Sequence, residues 1–258
     1  MKNVESRVFF GAKVFLGIVF LIMLCSNGYA QIHKLPDGIV VLDNFQQDTV
    51  GHLPYNWYDR NGDTKTQFFS PGHRKEFKYE IKQQGKNKYL EYSGMEAQHL
   101  NLPLIDQKQI NIKKTPILTW KWRVWEIPKD GDENVSKRND SAAGIYVVWG
   151  FTSVFKIPKS VKYAWSSTLP VGTILSKNFN NQKIVILATD SKDLGKWITF
   201  RRNIYQDYKN LFGEDPPERP IAILILSDGD STHSHVRADY DDLELRPVNM
   251  LQSPDDDE

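Results

Sequence analysis

The densest polar cluster in the sequence is Asp228-Gly229-Asp230-Ser231-Thr232, directly after the apolar run Ile221–Ser227. Two carboxylates at i and i+2 around a glycine could hold a cation or accept hydrogen bonds from sugar hydroxyls. The later glycine and distant glutamate of an EF-hand loop are missing, which excludes that motif. A turn rich in Asp, Gly and Ser has the same composition, and the turn is the reading adopted. His233 and His235 would share a face of a strand, but two ligands do not make a metal site, so they read as loop histidines. Arg202, Asn203 and Asp207 form a third group, since an arginine forks onto a carboxylate. It can be a ligand site or an ion pair tying a helical turn to a sheet, and both readings stay open.

Aromatic rings stack on the apolar faces of pyranoses, which makes exposed tryptophans candidate sugar platforms. Trp120 and Trp122 alternate with Leu118 and Val124 and are expected in the core. Trp125 and Trp165 stand at strand ends and are the expected platform. For catalysis, G-x-S-x-G, P-loop, G-x-G-x-x-G and H-E-x-x-H patterns are all absent. A two-carboxylate glycosidase leaves no local spacing, so its acids could come from distant strands. A lyase with Tyr208 or His233 as base and Arg202 neutralising a uronate is equally compatible with the sequence.

The elements that must position these groups are mostly strands. Ile39–Phe45, Phe77–Gln83, Tyr89–Ser93, Ile117–Trp125, Ala142–Phe151, Val161–Trp165, Lys183–Thr189, Trp197–Arg202, Ile221–Ser227 and Asp239–Leu245 all carry strand signals. Ile117–Trp125 alternates with the period of a half-buried strand, and Ala142–Phe151 is apolar on both faces, as a central strand would be. One segment is helical in pattern, Ile204 to Phe212, with Gly213 at the C-cap position and Pro216-Pro217 beyond it. This predicts an all-β fold, an antiparallel β-sandwich of jelly-roll type with one short helix.

Charge is balanced, 33 Lys+Arg against 32 Asp+Glu, which argues against a nucleic-acid binder held by bulk electrostatics. The first thirty residues read as a signal peptide. Lys2, Arg7 and Lys13 precede the apolar run Val14–Leu24, and Gly28 and Ala30 suit a cleavage before Gln31. No membrane span is expected after that cleavage. The single cysteine, Cys25, leaves with the segment, so the mature protein must fold without disulfides. The expected organisation is residues 1–30 signal peptide, 31–247 one sandwich domain and 248–258 an acidic disordered tail, with a periplasmic or secreted location.

Several short stretches occur in a characteristic order: WKWRV (Trp120–Val124), Asp140-Ser141-Ala142-Ala143, Arg202-Asn203-Ile204, Asp207-Tyr208, Phe212-Gly213, the 228–232 cluster and Ala238-Asp239-Tyr240-Asp241-Asp242-Leu243. This set resembles the bacterial domain-of-unknown-function family 3047 over roughly Asn44 to Leu245. The resemblance implies an exported protein without an assigned activity. The expected fold is also similar to galactose-binding-like carbohydrate-binding domains. That similarity implies acids at both chain ends around a structural calcium, here Asp43, Asp241 and Asp242. The functional expectation is a non-catalytic binder of a glycan or cell-envelope polymer, with Trp125, Trp165, Arg202, Asn203, Asp207, Asp228 and Asp230 as its ligand-binding residues. The alternative is a polysaccharide-degrading hydrolase or lyase on the same sheets.

Overall fold

In the computed structural model, which describes residues 32–58, 78–152 and 157–250, alternating apolar residues fold into two packed sheets. Strands are numbered along the chain. Sheet A has seven strands: β1 (His33–Lys34), β2 (Val40–Asp43), β3 (Tyr79–Gln84), β4 (Asn87–Gly94), β6 (Ile117–Glu126), β11 (Ile198–Asn203) and β13 (Val236–Arg246). The long β13 holds it together, pairing β4 and then β2 along one edge and β6 along the other. Its register shifts between Asp241 and Glu244, where Asp242 has φ +49°, and this irregularity bends the strand between its two partners.

Sheet B has six strands in the order β5-β12-β7-β8-β10-β9: β5 (Gln98–Pro103), β7 (Ala143–Phe151), β8 (Pro158–Ser166), β9 (Ile174–Lys177), β10 (Gln182–Thr189) and β12 (Ala222–Ser227). Its pairs are antiparallel except β8 with β10, which run parallel. The antiparallel expectation therefore needs that one correction. The 167–181 chain between the two strands explains it: β9 forms within this crossover and reverses against β10.

The inner faces meet in one core. Leu118, Trp120, Trp122 and Val124 of β6 are fully buried, as their alternation predicted. Trp120 packs on Tyr163 and Phe200, and Trp122 on Phe200 and Tyr240. β7 is central in sheet B and is buried on both faces over most of its length. The helix α1 spans Ile204–Phe212, the predicted segment. Asn203 caps its start by accepting from the Gln206 N–H, and Gly213 ends it at φ +77°. Strands β1, β5 and β9 were not predicted. β1 and β9 are very short edge strands, and β5 carries only Leu100 and Leu102 as buried apolar residues.

The expected signal peptide lies outside the described residues, and so do residues 251–258 of the expected tail. Val248–Met250 form a 3-10 turn after β13. Among the described residues no helix is long and apolar enough to cross a membrane.

Candidate functional site

Trp165 is not a platform. It alternates with Val161 and Tyr163 into the core, is 1% exposed, and donates its indole N–H to the Asp190 carbonyl at 3.1 Å. Its place near the strand end misled because β8 stays buried through its last residues, Trp165 and Ser166. Trp165→Ala is expected to cost about 3–5 kcal/mol by leaving a cavity, measured by denaturant unfolding.

Trp125 is half-exposed, but its ring is occupied. The indole N–H donates to Asp239 Oδ2 at 2.8 Å, and the Arg123 and Arg237 guanidiniums lie 4.8 and 5.0 Å from the ring. A Cβ added at Gly195 would come within 3.3 Å of it. Arg123 also stacks against Tyr89 and Trp197 and bonds Asp239 Oδ2 at 2.7 Å. This cation–π stack seals the outer face of sheet A and leaves little ring face for a sugar.

Arg202 bonds Asp207 through two nitrogens, at 2.9 and 2.6 Å, and Tyr163 donates to the same carboxylate at 2.7 Å. With Asn203 as the helix cap, this group ties α1 to β11, the structural one of the two readings. Tyr208 points its hydroxyl to Glu214 instead, and Asp228 belongs to a different network. The set that a lyase or hydrolase would have drawn from these residues does not converge.

Asp228 sits in a buried polar network between sheet B and the 127–142 loop. It accepts from the Ser141 N–H at 2.8 Å, while the Ser141 hydroxyl donates to Glu133 and accepts from Lys162 Nζ, each at 2.7 Å. Glu133 also accepts from Ser166 Oγ. Glu133 and Ser141 are 0% exposed, Lys162 2% and Asp228 6%. Burial opposes the Lys162 ammonium, but Tyr146, Asp228 and Glu133 more than offset this, so its pKa is raised and it stays charged. Burial pushes the Asp228 carboxyl up to about 7 despite Lys162. A serine with a charged lysine is not an activated nucleophile. The constellation therefore serves as a sealed structural joint.

Asp140, Asp228 and Asp230 each bring a carboxylate oxygen within 4.8 Å of the others, although Asp230 is exposed. Asp140 already accepts from the Ser231 and Thr232 N–H groups and the Thr232 hydroxyl. The adopted reading of 228–232 as a turn agrees with these bonds. His235 bridges Glu126 and Ser93, and His233 stands in the turn at φ +53°, so the two do not act together.

The three residues expected to hold calcium each carry protein partners. Asp43 accepts from Phe45 N–H and Trp57 Nε1, Asp241 from Asn87 and the Asp242 N–H, and Asp242 pairs with Lys121 at 2.8 Å. The cation beside Asp48 is Lys88, whose Nζ bonds the carbonyls of Gln46 and Asp48 at 3.0 and 2.7 Å. Chelation with EDTA is accordingly expected to leave the melting temperature unchanged.

What sequence reasoning missed is a groove of about 690 Å³ where the edge strands β1 and β5 approach each other. Asn56 and Tyr58 enter it from one segment, and Asp106, Gln107 and Gln109 from the loop after β5. Leu102, Pro103 and Ile105 supply apolar wall. Tyr58 is fixed by backbone bonds to Asn101 in both directions, at 2.9 and 2.8 Å. Gln109 donates to the Ile32 carbonyl and to Gln107 Oε1, both at 2.8 Å, which sets the amide planes. These residues lie far apart in sequence, and only the amide-rich run 106–109 hinted at them.

Comparisons with known proteins bear on the family. A family 11 carbohydrate-binding module from Clostridium thermocellum aligns at TM-score 0.38 and 11% identity, covering 81% of this chain and 95% of that one. A family 30 module of a Clostridium thermocellum cellulosomal cellulase gives 0.38 and 8%, covering 67% and 84%. The catalytic domain of Humicola grisea Cel12A gives 0.36 and 11%, covering 60% and 78%. Similarity this remote carries no argument. No curated protein matches the chain. The family model for proteins of unknown function DUF3047 matches residues 56–244, most of the chain, and the chain belongs to that family.

Proposed function

We propose that this is an exported, non-catalytic glycan-binding protein of the cell envelope, and that it holds its glycan in the groove between β1 and β5. The observation that carries this reading is the groove's lining. Gln107 and Gln109 line the groove with their amides, and with Gln109 Nε2 committed to the Ile32 carbonyl and Gln107 Oε1, the pair keeps Gln107 Nε2 as donor and Gln109 Oε1 as acceptor for sugar hydroxyls. Tyr58 and the Leu102–Pro103 wall offer apolar surface for a ring face, and the volume lies in the range of small-ligand sites. Asp106 is the one carboxylate among the described residues of this lining, whereas hydrolysis by the common glycosidase mechanism needs a pair. The groove thus supports binding over cleavage.

A glycan array, run beside reducing-end and unsaturated-product assays on the same polysaccharides, tests this. The expected result is retention of a glycan class with no product. Product formation would replace the proposal with the enzymatic alternative.

A further inference from the structure

The turn between β9 and β10 is built against its own backbone preference. Asn178, Phe179 and Asn180 follow one another in the left-handed region, with φ +52°, +54° and +69°. Asparagine tolerates that region, but a bulky aromatic residue rarely enters it. The Phe179 ring nevertheless stands 90% exposed, so no core contact compensates the strain. Side-chain amides hold the turn rigid: Asn178 donates to Gln182 Oε1 at 2.8 Å, and Asn181 donates to the carbonyls of Asn178 and Phe179. A strained, stapled turn that presents a bare ring points to a use for that ring.

A second exposed ring lies at the same end of sheet B. Phe151, 59% exposed, pairs with Pro158, and Ser160 of the same strand pairs with Gln182 beside the turn. From Ser141 to Thr189 the sequence holds five lysines and no acid, in a chain balanced overall at 33 to 32. Lys162 is sealed inside the buried network, and Lys159, Lys177 and Lys183 are the ones beside this end. Lys177 precedes the turn, Lys183 bonds Asn180, and Lys159 pairs opposite Gly150 next to Phe151. Glu214 reaches this end from the segment after α1 and is held by Lys159 and Tyr208.

We propose that this end of sheet B docks on an anionic lipid surface, with Phe179 entering the interfacial layer and the lysines supplying the attracting field. Aromatic rings favour that layer, and basic residues add attraction to anionic headgroups. β9 and β5 are opposite edges of sheet B. A molecule held by its β9 edge would present the β1–β5 groove away from the membrane. The docking surface does not depend on the glycan reading.

The test is flotation of the full chain with phosphatidylglycerol vesicles and with phosphatidylcholine vesicles at low salt, comparing wild type with Phe179→Gly. Because residues 14–24 could also enter a bilayer, Phe179→Trp with brominated phosphatidylglycerol reads the tip directly. The expected results are extra quenching from position 179, and partition of Phe179→Gly about tenfold weaker wherever the tip alone anchors the chain. Phe179→Gly should also melt higher, because glycine relieves the left-handed strain. Absence of extra quenching overturns the proposal. Equal quenching in brominated phosphatidylcholine overturns its anionic part. A lower melting temperature for Phe179→Gly would mean that the ring supports the fold, and would overturn it as well. Capture by an acidic polysaccharide without vesicle quenching would assign the turn to glycan instead.

Discussion

Lys162→Met should destabilise the protein by about 3–5 kcal/mol, the usual cost of removing one partner from a buried charge network. The methionine keeps most of the volume of the lysine stem but deletes the ammonium that bonds Ser141 Oγ at 2.7 Å. Glu133 and Asp228 would then remain buried without their cation. Since domains are stable by roughly 5–15 kcal/mol, such a loss would bring the fold near its limit. Urea unfolding measures it, and Glu133→Gln in the Lys162→Met background should recover part of the loss. A variant as stable as wild type would show that Lys162 does not hold the 127–142 loop to sheet B.

The second large effect is a fall in stability as pH rises from about 4 to about 7, opposite to the behaviour of proteins dominated by salt-bridged carboxylates. Burial raises Asp43, Asp228 and Asp241 each to about 7, and Asp48 to about 6, with the Asp48 charge adding to the rise at Asp43. Burial also raises Asp239, against its bonds to Trp125 and Arg123. In each case the folded value exceeds the unfolded one. Between the ordinary carboxyl range near pH 4 and about pH 7, the folded protein therefore holds protons that the unfolded chain has released. The destabilisation is absent below that range and complete above it. Glu96, Glu214 and Asp215 are shifted downward and act in the other direction, but only at pH values below this window. Melting temperatures across the interval should fall by several degrees, and Asp228→Asn should flatten the slope. A melting temperature that climbs over the same interval would contradict the burial of these carboxyls.

The framework of the fold was legible because strand alternation and helix caps are local signals. Leu118-x-Trp120-x-Trp122-x-Val124 announces an inward face, and Asn203, the apolar spacing of α1 and Gly213 announce a helix with both ends. The parallel β8–β10 pair was not legible, because register between distant strands depends on the crossover and not on either strand's pattern. Site residues fared worse for the same reason. Asp228 and Arg202 were expected to bind ligand, yet both are held within the fold, Asp228 by Ser141 and Lys162, which nothing in the sequence pointed to, and Arg202 by Asp207, the ion pair that stood as its second reading, beside Tyr163. Lys162 itself carried a usable signal. A lysine inside the apolar run Val161–Trp165 can be buried only with an acid, and its acids, Asp228 and Glu133, lie far along the sequence on either side.

The central claim, that ligand enters the β1–β5 groove, is tested most directly by calorimetric titration of one array-positive oligosaccharide into wild type, Tyr58→Ala and Trp125→Ala. Tyr58→Ala should bind about tenfold more weakly or worse, since its ring forms part of the groove wall. Trp125→Ala should leave the affinity unchanged because its ring already packs against Arg123, Arg237 and Gly195. Undiminished affinity in folded Tyr58→Ala, with loss in folded Trp125→Ala, would contradict the account and move the site to the outer face of sheet A.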